Sequence, residues 1–381
     1  MNDRGEKIRN LLVPIISVIF GFLLGAIIML IFGYNPGLAY ESMLKAGLGN
    51  MRSIGEVLRQ ASPLIFTALG FAVASAAGFF NIGLSGQALC GWVSSIWVAL
   101  AFPGLPKPVL VVLCVVVGAI AGALAGAIPG ALRAFFGTSE VITTIMLNYV
   151  FLYVSTYMIH NVFPKTFMVN KDSTNMIGDA ASLRVMWLTR AFSGSRVSMG
   201  LFLALLALIA VWFIMKKTTL GFEIRAVGLN PFASEYAGMS SRKTIILSMM
   251  LSGTLAGLGG VIEGLGTYQN FFVQTASLSI GFDGMAVSLL GSNSPIGILF
   301  AALLFSVLKI GGLGMQTGAN VPFEIVNIVI ASIIFFVGIN YAIRLLVAKT
   351  GGKKKATVEV TEVKEVESKP DQKDSQEGGE L

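Results

Sequence analysis

The sequence predicts an all-α protein that crosses a membrane about ten times, in two five-helix halves inverted relative to each other. Three observations predict it. Charged residues make up only 12% of the 381 positions and apolar types 55%, where a soluble domain carries about 25% charge. No charge occurs between Arg59 and Lys107, and none between Lys107 and Arg133. About 20 helical residues cross a ~30 Å hydrocarbon layer, so the first interval holds two crossings and the second holds one. The third is a short internal echo: Ile82, Gly83 and Gly86 of NIGLSGQ match Ile280, Gly281 and Gly284 of SIGFDGM, each displaced by 198 positions. An odd number of crossings per half inverts the second half, as in alternating-access permeases.

The first apolar run, Leu11 to Phe32, follows Arg4, Lys7 and Arg9. It is longer than a secretory signal and reads as a retained helix. The next are Ala61 to Phe80, Leu84 to Phe102, Pro108 to Leu132 and Val141 to His160. The second half supplies Met199 to Met215, Thr244 to Ile262, Ala276 to Gly291, Pro295 to Leu313 and Val321 to Val347. The eighth run is interrupted by Asp283.

An even count puts both termini on one side, and Lys349 with Lys353 to Lys355 marks that side as cytoplasmic. Arg133, Lys216, Lys217, Arg225, Arg242 and Lys243 then fall inside as well. The stretch Asn161 to Arg196 runs against the rule, carrying five cations against two aspartates on the outer side. Residues 1–350 form the membrane domain, and 351–381 read as a disordered, charged cytoplasmic tail. The tail has a net of −2, which leaves +9 on the rest of a chain whose total is +7. Those positive charges flank apolar runs and do not form a groove, so nucleic acid is excluded as a partner. Cys90 and Cys114 lie inside apolar runs without motif spacing, as small hydrophobes. No His, Cys, Asp or Glu spacing suits a metal or a hydrolytic pair, so no catalytic or metal site is expected.

Gly118, Gly122, Gly126 and Gly130 recur every four residues. In a helix they form a stripe without side chains, against which another helix can pack closely. Glu140, Thr144, Asn148 and Ser155 share a second face, which must meet protein or an aqueous passage. Glu263 and Asp283 are ionisable groups within or near the membrane. Between Thr218 and Lys243, Gly221, Gly228 and Asn230-Pro231 punctuate short segments, with a new helix starting at Pro231 under an Asn230 cap. Ala233, Tyr236 and Ala237 give that helix a small docking surface.

The stretches NIGLSGQ (81–87), GTSEVITTIMLNYV (137–150), the 218–243 loop and GFDGMAVSLLGSNSP (281–295) together resemble the membrane permeases of bacterial ATP-binding-cassette importers. The resemblance is to the branched-chain amino acid, ribose and simple-sugar superfamily, in its subgroup of nucleoside importers served by basic-membrane-protein lipoproteins. It covers nearly the whole chain except the tail. It implies a non-catalytic subunit in the bacterial inner membrane, paired with a second, homologous permease, and a nucleoside delivered by an extracellular lipoprotein. ATP and Mg belong to a separate ATPase, and this chain has no phosphate-binding glycine loop of its own.

The same resemblance makes 218–243 the coupling loop to that ATPase, through Gly221, Arg225, Gly228, Asn230, Pro231, Ala233, Tyr236, Ala237 and Gly238. Expected passage residues are Asn81, Ser85, Gln87, Asn148 and Asp283, whose neutral amides and hydroxyl suit an uncharged solute. Phe79, Phe80 and Trp92 are candidates for stacking on a base. A simple sugar is the alternative solute. An ion-coupled carrier, the alternative mechanism, would use Asp283 or Glu263 for coupling.

Overall fold

A computed structural model describes residues 3–338. Among the described residues it is all-helical but for one two-stranded hairpin; the expected apolar runs appear as helices, the tenth as far as Gly338, with 339–347 outside the described residues. In the first half these are α1 (Asp3–Ile31), α2 (Pro36–Leu48), α3 (Met51–Ala76), α4 (Leu84–Ala101), α5 (Lys107–Phe136) and α6 (Glu140–Tyr157). After these come α7 (Met186–Ala191), α8 (Gly200–Lys217), α9 (Thr219–Leu229), α10 (Pro231–Tyr236), α11 (Ser241–Ile262), α12 (Ser279–Leu290), α13 (Pro295–Ala319) and α14 (Phe323–Gly338). Seven helices among the described residues are long and apolar enough to cross a membrane; Val18–Ile31, α12 and Phe323–Ser332 are shorter apolar helices. The 351–381 tail lies outside the described residues.

Several boundaries differ from the sequence reading for local physical reasons. The second run begins at Met51, ten residues before Ala61, because its charges are satisfied within the bundle. Asn50 caps the helix through Ser53 N (2.8 Å), and Arg59, 8% exposed, donates to Glu56 at 2.7 Å. That helix also ends at Ala76, leaving Phe79 and Phe80 in the turn that follows. α2 was not foreseen, although Asn35 before Pro36 is a cap-and-proline start; Asn35 accepts from Gly37 N and Leu38 N. In the 218–243 loop, Gly221 and Gly228 do not break the chain but lie inside α9. α11 continues past Ile262 as a wide π turn over Glu263–Tyr268.

α11 is the hub of the bundle, packed against α3, α4 and α5. The glycine stripe of α5 faces it. A β-carbon built on Gly122 would lie 2.3 Å from the Gly253 carbonyl oxygen, and one on Gly126 2.3 Å from that of Met249. On Gly118 it would meet Val261 at 2.1 Å, and on Gly130 the Met249 side chain at 2.9 Å. α4 crosses as closely, with Gly91 on Gly257 and Gly260 on Ala88. Between apolar helices in lipid no hydrophobic force favours association, so this intimate van der Waals contact holds them together.

The segment between α6 and α8 holds a hairpin, β1 (Met168–Asn170) with β2 (Ser173–Thr174), antiparallel with Met168 opposite Thr174. It is knitted to the chain after α11: Thr174 N donates to Phe271 O (2.9 Å), Ile177 N to Gln269 O (2.8 Å) and Val273 N to Asp172 O (2.9 Å). Two of its five cations enter tertiary contacts, while Lys165, Lys171 and Arg190 are exposed. Arg184 donates to Gly266 O at 2.8 Å and to Thr267 O, and Arg196 to Glu56. Burial, with Arg196 and Arg59 nearby, lowers the Arg184 pKa below the usual guanidinium range. The hairpin end is opposite the end that carries α9 and α10.

Candidate functional site

A cavity of about 380 Å³ opens beneath the hairpin end. Gln60 of α3, Trp92 of α4, Glu263 and Tyr268 of the π turn, the segment 274–278 and Lys309 of α13 line it. Each element reaches it for a separate reason. The π turn carries an extra residue per turn, which displaces Glu263 to Tyr268 from the α11 face. The segment 274–278 bends at Thr275–Ala276 before Ser279 opens α12, and its side chains line the cavity.

Aromatic groups form one wall. Trp92 stacks on Tyr268 with centroids 5.0 Å apart and planes 15° apart, and meets Phe271 and Phe272 edge-on at 5.3 and 5.4 Å. Its indole N–H donates to Asn270 O at 3.0 Å, so the ring orientation is fixed. A flat, rigid aromatic face with polar groups around it suits a planar ring bearing hydrogen-bonding edges.

Charged groups form the rest. Glu263 is 6% exposed and accepts from Thr267 Oγ1 at 3.4 Å; that hydroxyl also accepts from Arg59. Lys309 pairs with Asp283 and lies 3.4 Å from Ser279 Oγ. Asp283 thus meets the cavity through its lysine. Gln60, Tyr268, Gln274 and Lys309 were missing from the sequence expectation. The one legible signal was a lone lysine in the ninth apolar run, the natural counter-ion for the lone Asp283 in the eighth.

The other expected passage residues lie elsewhere. Asn81 donates to Gln87 Oε1 (3.0 Å) and Ser252 Oγ (2.8 Å) and accepts from Gly83 N (2.9 Å). Asn148 accepts from Gly86 N (2.8 Å) and donates to Ile82 O (2.9 Å). Ser85 donates to Leu278 O (2.7 Å). Their polar groups are engaged with protein and brace the turn between α3 and α4. The face of α6 bearing Thr144, Asn148 and Ser155 is buried toward that turn and α4. Phe79 and Phe80 are also remote from Trp92: Arg133 lies 6.0 Å over the Phe79 ring, and Phe80 packs edge-on to Phe71 at 5.0 Å.

At the opposite end, α9 and α10 form a compact unit. Ile224 and Val227 bury one face of α9. A β-carbon on Gly221 would meet Ile214 O at 2.2 Å, and one on Gly228 would meet Ala76 O at 2.2 Å. α9 therefore rests by its backbone on the end of α3, a few residues before Asn81. Arg225 donates to Met215 O. Asn230 caps α10 by accepting from Phe232 N (3.0 Å) and Ala233 N (3.1 Å), and Gly238 closes it at φ +84°. The tip projects Leu229, Phe232 and Tyr236, the last 95% exposed.

A family model described as branched-chain amino acid transport system / permease component matches residues 53–338. The chain belongs to this family. The match begins in α3 and ends with α14, so it takes in the cavity, the hub and the α9–α10 unit. Among curated relatives, the nucleoside ABC transporter permease protein NupB of Lactococcus lactis is 55% identical across 90% of this chain and 95% of its own length. The guanosine ABC transporter permease protein NupP of Bacillus subtilis is 45% identical across 90% and 97%. The glucose ABC transporter permease protein TsgB13 of Haloferax volcanii is 32% identical across 85% and 86%. No solved structure matches. Among the described residues no three His, Cys, Asp or Glu side chains come together as metal ligands.

Proposed function

We propose that this permease is the membrane passage of an ATP-binding-cassette importer for nucleosides. The observation that carries the reading is the cavity: the face of Tyr268, backed by the buried Trp92, beside amide, hydroxyl and charged groups fits a nucleobase with its ribose. The nucleoside and guanosine permeases among its relatives support the same solute. The solute enters at the hairpin end from a binding lipoprotein, and α9–α10 meets a separate ATPase that holds ATP and Mg. A second, homologous permease completes the passage. Both termini are then cytoplasmic, in the bacterial inner membrane.

Ten crossings in two inverted halves agree with how the helices pack. α3 meets α11 and α4 meets α12, each pairing a helix with its own counterpart. α5 lies on α11 as α13 lies on α3, and α6 on α4 as α14 on α12. The two echoed segments touch, since a β-carbon on Gly281 would lie 2.2 Å from Ser85 Oγ, and Ser85 donates to Leu278 O just before the second.

In operation, ATP binding favours one arrangement of the bundle and product release restores the other. α10 presents Ala233, Tyr236 and Ala237 to the ATPase. α9 transmits the displacement through Gly228 to the end of α3, and so to the turn braced by Asn81, Gln87 and Asn148. These residues, with Ser85, position the passage, and Asp283 holds Lys309 at the cavity. The test is uptake of radiolabelled guanosine, adenosine, uridine, ribose and galactose into cells lacking the chromosomal copy, with and without the ATPase subunit. Nucleoside uptake that stops without the ATPase is expected. Uptake of ribose or galactose alone overturns the solute, and uptake that persists without the ATPase overturns the coupling.

A further inference from the structure

A second cavity, of about 400 Å³, opens sideways between α3, α8 and the start of α13. It is within the range of small-ligand sites, about 300–1,000 Å³. It takes no part in the function proposed above. Its walls are mostly apolar, from Leu69, Val73, Val211, Trp212 and Ile296, the last two exposed on the outer surface of the bundle, with Ser75, Asn293 and Ser294 as its uncharged polar lining. Its mouth carries Lys216 and Arg225. Among the described residues neither cation forms an ion pair with a carboxylate. Lys216 also lies at the end of a membrane-spanning helix, where polar headgroups begin.

We propose that this cavity is a binding site for an anionic phospholipid, with the phosphate between Lys216 and Arg225 and an acyl chain along Val73, Val211 and Trp212. An apolar slot open to the hydrocarbon and bounded by two cations at headgroup depth is complementary to that molecule at both ends. Basic pockets between transmembrane helices bind acidic headgroups in this way, and each cation near the surface contributes about 1 kcal/mol. The lipid would join α8 to α9 through Arg225, and so brace the unit that moves against α3.

The test uses the full transporter complex, exchanged into nanodiscs of phosphatidylcholine with phosphatidylglycerol and analysed for retained lipid by native mass spectrometry. Phosphatidylglycerol is expected to be retained over phosphatidylcholine. Lys216→Gln is expected to weaken retention about five-fold, while Lys217→Gln, at the neighbouring exposed lysine outside the cavity, leaves it unchanged. A second variant, Ala72→Leu, narrows the slot without touching the cations and is expected to reduce retention as well. Equal retention of the two lipids overturns the proposal. So does an equal loss for both lysine variants, which would mean diffuse surface attraction, or covering of the cavity by the second permease in the assembled complex.

Discussion

Replacing Gly122 with alanine adds a single methyl group where the backbones of α5 and α11 nearly touch. Its carbon would sit 2.3 Å from Gly253 O and 2.7 Å from Gly257 Cα, where ordinary contact begins at 3.4 Å. The obstacle is backbone, so no rotamer change relieves it, and α5 and α11 must separate locally by about 1.1 Å. Overpacking a core costs about 1–3 kcal/mol, and the separation also weakens the close Cα–H···O contacts that small residues permit, about 0.5–1 kcal/mol each. A loss of about 2 kcal/mol, roughly 30-fold in the balance between assembled and misassembled protein, is expected. Thermal melting of the detergent-purified complex, followed by fluorescence-detected size exclusion, reads it directly. Ile120→Leu, on the exposed face of the same helix, serves as the control and should melt like wild type. If Gly122→Ala melts with wild type and supports full uptake, the close-packing argument is wrong.

Tyr268→Ala removes half of the aromatic stack and should lower nucleoside uptake five-fold or more, since base–aromatic stacking contributes about 1–3 kcal/mol; Tyr268→Phe should retain it, and an unimpaired alanine variant discards the cavity as the solute site. Lys309→Met strands Asp283 in the bundle at a cost of about 3–5 kcal/mol, so expression should fall sharply, and the double variant with Asp283→Asn should recover most of it in immunoblots. Asn230→Ala loses the α10 cap, about 1 kcal/mol, and should reduce solute-stimulated ATP hydrolysis by the complex while Asn230→Ser preserves it. Cysteine cross-linking from Tyr236 should capture the ATPase subunit; a product with an extracellular protein instead would reverse the assigned sidedness.

Apolar length is a local property, and for that reason the helical runs were readable along the chain. Ends were harder. Ala61 looked like the start of a crossing because Arg59 is charged, and only the fold reveals Glu56 as the group that neutralises it. The glycine stripe at 118–130 was legible from its period, but its partner, the Gly253–Gly257 face of α11, is more than a hundred residues away. The cavity was least legible. Trp92 was foreseen as a candidate for stacking on a base, yet Gln60 and Tyr268 come from other parts of the chain and nothing in their own neighbourhoods marks them; only Lys309, alone in its apolar run, stood out. Asn81, Gln87 and Asn148 read as conduit residues because they are polar in apolar runs; in the fold Asn81 and Asn148 bond the backbone of a turn and Gln87 bonds Asn81.

The glycine contacts around α11 also limit what can move. Helices whose main chains touch cannot slide or tilt past one another without collision, so α4, α5 and α11 behave as a fixed keel joining the two halves of the chain. The same contacts tie in α12: β-carbons on Gly281 and Gly284 would lie 2.2 Å from Ser85 Oγ and 2.1 Å from Thr67 Oγ1, so α3 and α12 belong with it. A displacement that reaches one of these helices must carry its neighbours with it, as a single body.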